Sequence, residues 1–387
     1  MWYFISPEIV YGEDALSRLD ELEGERALIV TDKQIVGIGF ADKVKERLLK
    51  AGIDCQIYDD IEPDPSIETT KKGAQVAREY KPDWILGLGG GSAMDAAKAI
   101  WVLYERPDIE PGEINPFTPL GLRQKAKLIT IPTTSGTGSD CTWGIVLTDT
   151  FEKRKLALGC REVHADIAII DPIFVTGMPP QLTSDTGLDA LTHAIEGFTS
   201  NWKNDFCDGL CLKAIQLVFQ YLQRAYHDGQ DKEAREKMHN AASIAGLGFG
   251  NSMTGLAHGM GHSLGAEFHT PHGKAVGLFL PYTIEFTANV SARYYSEITH
   301  LLNLKQTRVE KAAHSLAQAI RQLEQNINQP LTIKDLGISY NNFKNSLDKL
   351  VSNADMDTQT VTAARIPTST EFERLFRYAY DGKSVDF

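Results

Sequence analysis

The chain is short of several things, and each shortage narrows what it can be. Only five of its 387 residues are cysteines (Cys55, Cys141, Cys160, Cys207, Cys211). An odd number with no CxxC pair speaks against a disulfide framework and fits a reduced, cytoplasmic protein. Cys207 and Cys211 share a helix face, which ordinary helix packing explains. The longest apolar runs, such as 85–88 and 278–280, fall far short of the ~20 residues a bilayer-crossing helix needs. The N-terminal residues show neither a basic region nor a cleavage pattern, so no secretory signal is expected. Basic residues are in deficit, 39 Lys and Arg against 51 Asp and Glu for a formal charge of −12. That balance argues against nucleic acid or an anionic membrane as partner. HExxH is absent, which speaks against a metalloprotease.

What is present reads as two domains, the prior for a chain of this length. Up to about residue 179, β-rich runs at 27–31, 55–58, 84–88, 128–131 and 167–170 alternate with amphipathic stretches at 40–51 and 67–80. That alternation predicts an α/β domain, 1–179, built on a parallel, doubly wound sheet with ligands at the carboxyl ends of its strands. From 180 to 387 the β-rich runs stop, and helical spacing at 205–225, 230–249 and 309–328 predicts an all-helical domain.

Two loops in the first half carry possible chemistry. The run Gly87-Leu-Gly-Gly-Gly-Ser-Ala-Met-Asp95-Ala-Ala-Lys98 follows a predicted strand and opens a predicted helix. Its glycines let a diphosphate approach the backbone, and the helix start offers free N–H groups. It lacks the last glycine of GxGxxG, where Ser92 stands, and the GK[ST] of a Walker loop. A tight structural turn, with Ser92 capping the helix, is equally open. Pro132-Thr-Thr-Ser-Gly-Thr-Gly-Ser-Asp140 follows another strand and offers hydroxyl and N–H donors, or is a solvated turn. Asp32 ends the first of these strands, where a carboxylate can accept from a ribose diol or merely cap a helix.

The strongest signal lies in the second half. Asp189 and His193 are four residues apart, as are His258 and His262, and His272 follows. On a helix that spacing puts two side chains on one face. A lone histidine is usually structural, but this cluster reads as a site for one divalent ion, Fe2+ or Zn2+, and the absence of thiolate disfavours a zinc finger.

Four segments, GGGSAMDAAK at 89–98, PTTSGTGSD at 132–140, MPPQLTSDTGLDALTHAIE at 178–196 and HGMGHSLGAEFHTPHG at 258–273, occur in the order found in iron-containing (group III) alcohol dehydrogenases. The chain resembles that family, which has the dehydroquinate synthase-like fold, over nearly its whole length. The resemblance implies metal ligands Asp189, His193, His258 and His272, with Fe2+ ahead of Zn2+, and a nearby non-ligand histidine, His262, whose imidazole is suited to relay the alcohol proton. It implies NAD(H) contacts at Asp32, Asp64, Gly90, Gly91, Ser92, Asp95, Thr133, Thr134, Thr137 and Lys155, and a substrate pocket near Trp143 and Phe249. The implied reaction is hydride transfer between a primary alcohol, or its aldehyde, and NAD(H), in a homodimer or larger homo-oligomer. A polyol dehydrogenase of the glycerol type is the nearest rival, though that branch carries Lys where Ser92 stands. A dehydroquinate synthase-like lyase would need several basic residues near the metal, and those segments offer only Lys274. Three positions depart from the family pattern: Asp140 for Glu, Gly144 after Trp143, and Arg161 for a small residue or proline. Arg161 is expected to be a solvated surface side chain ahead of a handle for an anionic aldehyde.

Overall fold

A computed structural model describes residues 3–152, 154–304 and 308–387, which divide into compact units Met1–Thr176 and Gly177–Phe387. Among the described residues the first unit has eight strands: β1 (Glu8–Tyr11), β2 (Arg26–Val30), β3 (Asp54–Tyr58), β4 (Trp84–Gly89), β5 (Lys127–Pro132), β6 (Gly144–Asp149), β7 (Arg154–Gly159) and β8 (Ile167–Ile170). Six of them form one wholly parallel sheet in the order β1-β8-β5-β4-β2-β3. Every residue of β4 is buried, as expected where helices cover both faces of a parallel sheet. Those helices include α1 (Lys33–Gly37), α2 (Phe40–Lys50), α3 (Ile67–Tyr80) and α4 (Gly91–Glu105).

Strand order fixes where a ligand can sit. From β2 the chain adds β3 on one side, then returns to place β4 on the other side and continues outward through β5 and β8. The winding therefore reverses between β2 and β4, and the crevice at their carboxyl ends is the switch point where such sheets bind ligands. Register places Val30 beside Gly87 and Gly89 beside Pro132. Asp32, the glycine turn and the Thr-rich loop thus emerge side by side.

The five expected strands are all present, each within a residue or two of its predicted ends. Three strands had no sequence signal. β1 is a four-residue edge strand paired only to β8. β6 and β7 form an antiparallel hairpin outside the main sheet, and the cationic residues of β7 (Arg154, Lys155) hide its alternation.

The second unit contains, among the described residues, nine α-helices: α5 (Pro180–Thr199), α6 (Asp205–His227), α7 (Lys232–Phe249), α8 (Leu256–Phe268), α9 (His272–Phe286), α10 (Ala288–Leu301), α11 (Ala312–Asn326), α12 (Tyr340–Met356) and α13 (Ser369–Asp381). α5 is buried over most of its length, so α6 to α9 pack around a central rod that also carries the first two site residues. No described helix is long and apolar enough to cross a membrane.

One buried carboxyl in this unit lacks hydrogen bonds. Arg321 of α11 forks onto Glu285 at 2.6 and 3.0 Å. Glu324, one turn on, is 1% exposed and neither of its carboxyl oxygens has a hydrogen-bond partner. Burial pushes its pKa well above the ordinary 4.5, with Arg321 opposing. The folded chain therefore holds this proton to higher pH than the unfolded chain. Stability is full below about pH 4.5 and falls as pH rises through the folded pKa. Replacing it by an apolar side chain of similar volume removes that burden. Glu324→Met is expected to raise Tm near neutral pH by a few degrees, roughly 2–4 °C per kcal/mol, with a smaller gain near pH 4.5. A thermal melt at both pH values checks this, and an unchanged or lower Tm near neutral pH refutes it.

Candidate metal centre

Asp189 and His193 lie one turn apart on α5, and His258 lies in the first turn of α8. His269, in the left-handed region at φ 55°, ends α8 and turns the chain so that α9 starts at His272. Two glycines set the approach of α9. A Cβ on Gly273 would lie 2.1 Å from the Asp185 carbonyl oxygen, and one on Gly261 would lie 2.9 Å from Val276 Cα. Only glycine lets the start of α9 close on both α5 and α8, and this carries His272 to Asp189.

The result is a compact donor cluster. Ligand atoms of Asp189, His258 and His272 lie within 4.8 Å of one another. Asp189 Oδ1 is 3.4 Å from His272 Nε2 and 3.8 Å from His258 Nε2. Two donors each about 2.1 Å from one tetrahedral ion stand about 3.4 Å apart, so the spacing fits a shared ion. Asp189 Oδ1 and His258 Nε2 are buried with no hydrogen-bond partner, a costly arrangement unless something else binds them. Burial alone would raise the Asp189 pKa. His193, His272 and His258 outweigh it and hold the carboxyl below its ordinary value.

His193 sits beside this trio rather than within it. Its Nδ1 is 3.6 Å from Asp189 Oδ1, its ring stacks on Phe249 with centroids 3.9 Å apart, and the His258 ring lies 4.5 Å away on centroids. Phe249 thus packs on the ring beside the cluster. His262 lies one turn beyond His258, its ring stacked on His272 at 5.3 Å, and its Nδ1 bonds Asp357 Oδ2 at 2.8 Å. Burial lowers the His262 pKa, with Asp357 opposing.

Sequence reasoning assigned no role to Glu196 or Asp357. Glu196 Oε2 accepts from His258 Nδ1 at 2.5 Å and from Gly255 N at 3.0 Å, while Oε1 accepts from Ala257 N at 2.5 Å. One carboxylate therefore caps α8 and fixes a cluster histidine by its far nitrogen. Burial would lower the His258 pKa, but Glu196, with Asp189, raises it. The spacing Asp189, His193, Glu196 (i, i+4, i+7) is the signal that would have found Glu196. Asp357 is 95 residues from His262 and gives no such signal.

In the first unit the remaining candidates gather at the start of α4. Thr133 N donates to Gly89 O at 2.9 Å, Gly90 backs onto Thr134, and Gly91 onto Thr137. Asp64 N donates to Ser92 Oγ at 3.2 Å, and Lys155 Nζ pairs with Asp64 at 2.7 Å. Asp32 Oδ1 caps α1 by accepting from Gln34 and Ile35, while Oδ2 faces Gly89. Asp95 engages both oxygens, from Ser139 Oγ at 2.5 Å and Val146 N at 2.8 Å. Fully buried Lys98 reaches Ser139 Oγ and Gly144 O, tying the Thr-rich loop to α4. Trp143 packs against Gly159 of β7. Arg161 lies 4.9 Å over the Tyr3 ring.

A parallel sheet with a donor-rich glycine turn at its switch point, in one chain with a helical unit carrying a carboxylate–imidazole cluster, has the parts of a nucleotide-binding, metal-binding enzyme. Comparison with known proteins narrows this class. A profile described as iron-containing alcohol dehydrogenase matches residues 6–172, and that of the Fe-containing alcohol dehydrogenase family, C-terminal, matches residues 183–380. The chain is 39% identical to the NADPH-dependent butanol dehydrogenase of Clostridium saccharobutylicum over 100% of both chains. It is 35% identical to the aldehyde-alcohol dehydrogenase of Streptococcus pneumoniae, over 98% of this chain and 46% of that longer protein. Its fold matches the alcohol dehydrogenase from Oenococcus oeni with a TM-score of 0.93 at 28% identity, covering 98% of this chain and 100% of that one. The chain belongs to the iron-containing alcohol dehydrogenase family, and its activity is oxidoreduction of alcohols and aldehydes.

If Glu196 orients His258, Glu196→Ala binds a divalent ion about 10- to 100-fold more weakly, the usual effect of removing such a partner. Competition against a chelator measures this, and unchanged affinity would remove Glu196 from that role.

Proposed function

We propose that the chain interconverts a primary alcohol and its aldehyde with NAD(H), using one divalent ion, Fe2+ ahead of Zn2+, held by Asp189, His193, His258 and His272. The observation that carries this reading is the buried, unpartnered Asp189 Oδ1 with imidazole nitrogens 3.4 and 3.8 Å away. His193 is included as fourth ligand because it touches the same carboxylate. A bound ion would supply Lewis acidity and NAD the hydride acceptor. Glu196 keeps the proton of His258 on Nδ1, leaving Nε2 for the ion. Phe249, stacked on the His193 ring, lines the substrate side of the metal centre. His262, with its side chain 32% exposed and its Nδ1 bonded to Asp357, takes the alcohol proton and passes it to solvent.

The roles of the two units follow from that reading: residues 1–179 bind the dinucleotide, and 180–387 bind metal and substrate. Asp32, Asp64, Gly90, Gly91, Ser92, Asp95, Thr133, Thr134, Thr137 and Lys155 form the cofactor site, with Asp95 acting through Ser139 and Val146. A cytoplasmic location fits the five free cysteines. A homodimer or larger assembly is supported by the open edge of β1 and exposed Tyr11, and sedimentation decides it.

The ligand and relay assignments separate in two variants. His258→Ala is expected to lose most bound metal and nearly all turnover while keeping its fold. His262→Ala keeps its metal and loses about 100-fold or more in kcat. Metal analysis beside turnover checks both, and a parallel loss of metal in His262→Ala would make His262 a ligand.

Cofactor choice rests on Asp32. Its Oδ2 is available to a ribose 2′-hydroxyl, and a 2′-phosphate would meet it with like charge. Lys33, the adjacent cation, is paired with Asp60 at 2.9 Å. NAD is therefore preferred here, although the clostridial relative is named for NADPH. Asp32→Gly should raise kcat/KM for NADP by roughly tenfold or more. A parent enzyme already favouring NADP contradicts the assignment.

A further inference from the structure

Asp357 follows the last residue of α12 and is held in place by a short segment pinned to α8. Its Oδ1 accepts from Gln359 N at 2.8 Å. Thr254 Oγ1 donates to Gln359 Oε1 at 2.5 Å, and Thr362 Oγ1 donates to Thr254 O at 2.8 Å. Thr360 Oγ1 donates to Ala354 O at 2.8 Å and sits so close to Gly259 that a Cβ there would lie 2.3 Å from it. Ser263 Oγ donates to Leu350 O at 2.8 Å, tying α8 to α12. The Asp357 carboxylate is therefore positioned before any substrate arrives. Its Oδ2 meets His262 Nδ1 at 2.8 Å, with the Asp357 side chain 17% exposed against 32% for the ring. Nε2 of His262 has no hydrogen bond to any described residue.

We propose that Asp357 is a positioning residue that fixes the orientation and tautomer of His262, so that Nε2 always presents a lone pair for the alcohol proton. A carboxylate only accepts hydrogen bonds, so the nitrogen facing it must carry the hydrogen. A neutral imidazole has one such hydrogen, and Nδ1 holds it. Nε2 is then the base. In alcohol oxidation the O–H bond breaks and an Nε2–H bond forms. The ring becomes imidazolium against Asp357, and the Nε2 proton leaves to water. Without Asp357 the hydrogen distributes between both nitrogens and the ring swings, so a fraction of molecules faces the alcohol with a donor. This inference rests on the relay reading of His262.

Four variants test it: His262→Ala, Asp357→Ala, the double variant and Asp357→Asn. Asp357→Ala should lose about tenfold or more in kcat, with KM for the alcohol and bound metal near parental values. In the double variant that loss should vanish, leaving kcat at the His262→Ala level, because two residues acting as one unit are not additive. Asp357→Asn keeps an acceptor and should recover part of kcat. Zinc-loaded protein carrying 15N-histidine reports the tautomer without turnover. His262 should be protonated at Nδ1 in the parent and mixed in Asp357→Ala, with Asp357→Asn the measurement of record if Asp357→Ala fails to fold. Parental turnover in His262→Ala overturns the relay reading and this proposal together. A full His262→Ala effect with an additive Asp357→Ala loss, or an Nδ1 tautomer that survives Asp357→Ala, overturns this proposal alone.

Discussion

The helical unit depends on one carboxylate set between two helices. Glu196 leaves α5 and takes two backbone N–H groups at the start of α8 and the Nδ1 hydrogen of His258. A helix start presents unpaired donors that need an acceptor, and a buried acceptor needs donors. Here each satisfies the other. The same bonds fix α8 relative to α5 and aim His258 Nε2 toward Asp189. Geometry that could have been left to two mobile side chains is fixed instead by the backbone. The arrangement also explains how two unsatisfied buried atoms, Asp189 Oδ1 and His258 Nε2, are tolerated side by side. The surrounding structure holds them in place, as functional sites commonly do.

The first unit solves a different problem, bringing loops from separate strands to one spot. Parallel register does most of this, since it places Gly89 beside Pro132 and Val30 beside Gly87. The Thr-rich loop is then fastened by Lys98, whose ammonium is fully buried yet bonded to Ser139 Oγ and Gly144 O. Burial lowers the Lys98 pKa, and Asp95 and Asp140 oppose that.

Legibility from sequence followed how local each feature is. Strands such as β4 (WILGLG) and helices such as α3 (Ile67–Tyr80) announce themselves through periodicity and caps, and they were readable to within a residue or two. β1 was not, because four residues at a sheet edge have too little alternation to stand out, and their pairing with β8 spans most of the unit. The site divided the same way. Asp189 with His193, and His258 with His262, were visible as i, i+4 pairs on single helices. Glu196 stood in the same motif, but nothing in spacing says that a glutamate there caps another helix. Asp357 was invisible, since only the packing of α12 on α8 brings it to His262.

His258 and His262 show why spacing alone could not assign roles. They share one helix, one turn apart, and each gives its Nδ1 to a carboxylate. A sequence treats them as equivalent. The surroundings do not. His258 is sealed in the interior, and Glu196, itself satisfied by two backbone amides, holds a ring whose other nitrogen has nowhere to go but toward Asp189. The His262 side chain is about a third exposed, and its Nε2 has no hydrogen bond to any described residue. Burial with a fixed partner suits an imidazole to bind an ion, because the ring neither rotates nor meets water. Partial exposure suits one to move a proton, because the proton needs somewhere to go. Two chemically identical side chains are thus set apart by one carboxylate from within α5 and another from just beyond α12, and that separation exists only in the folded chain.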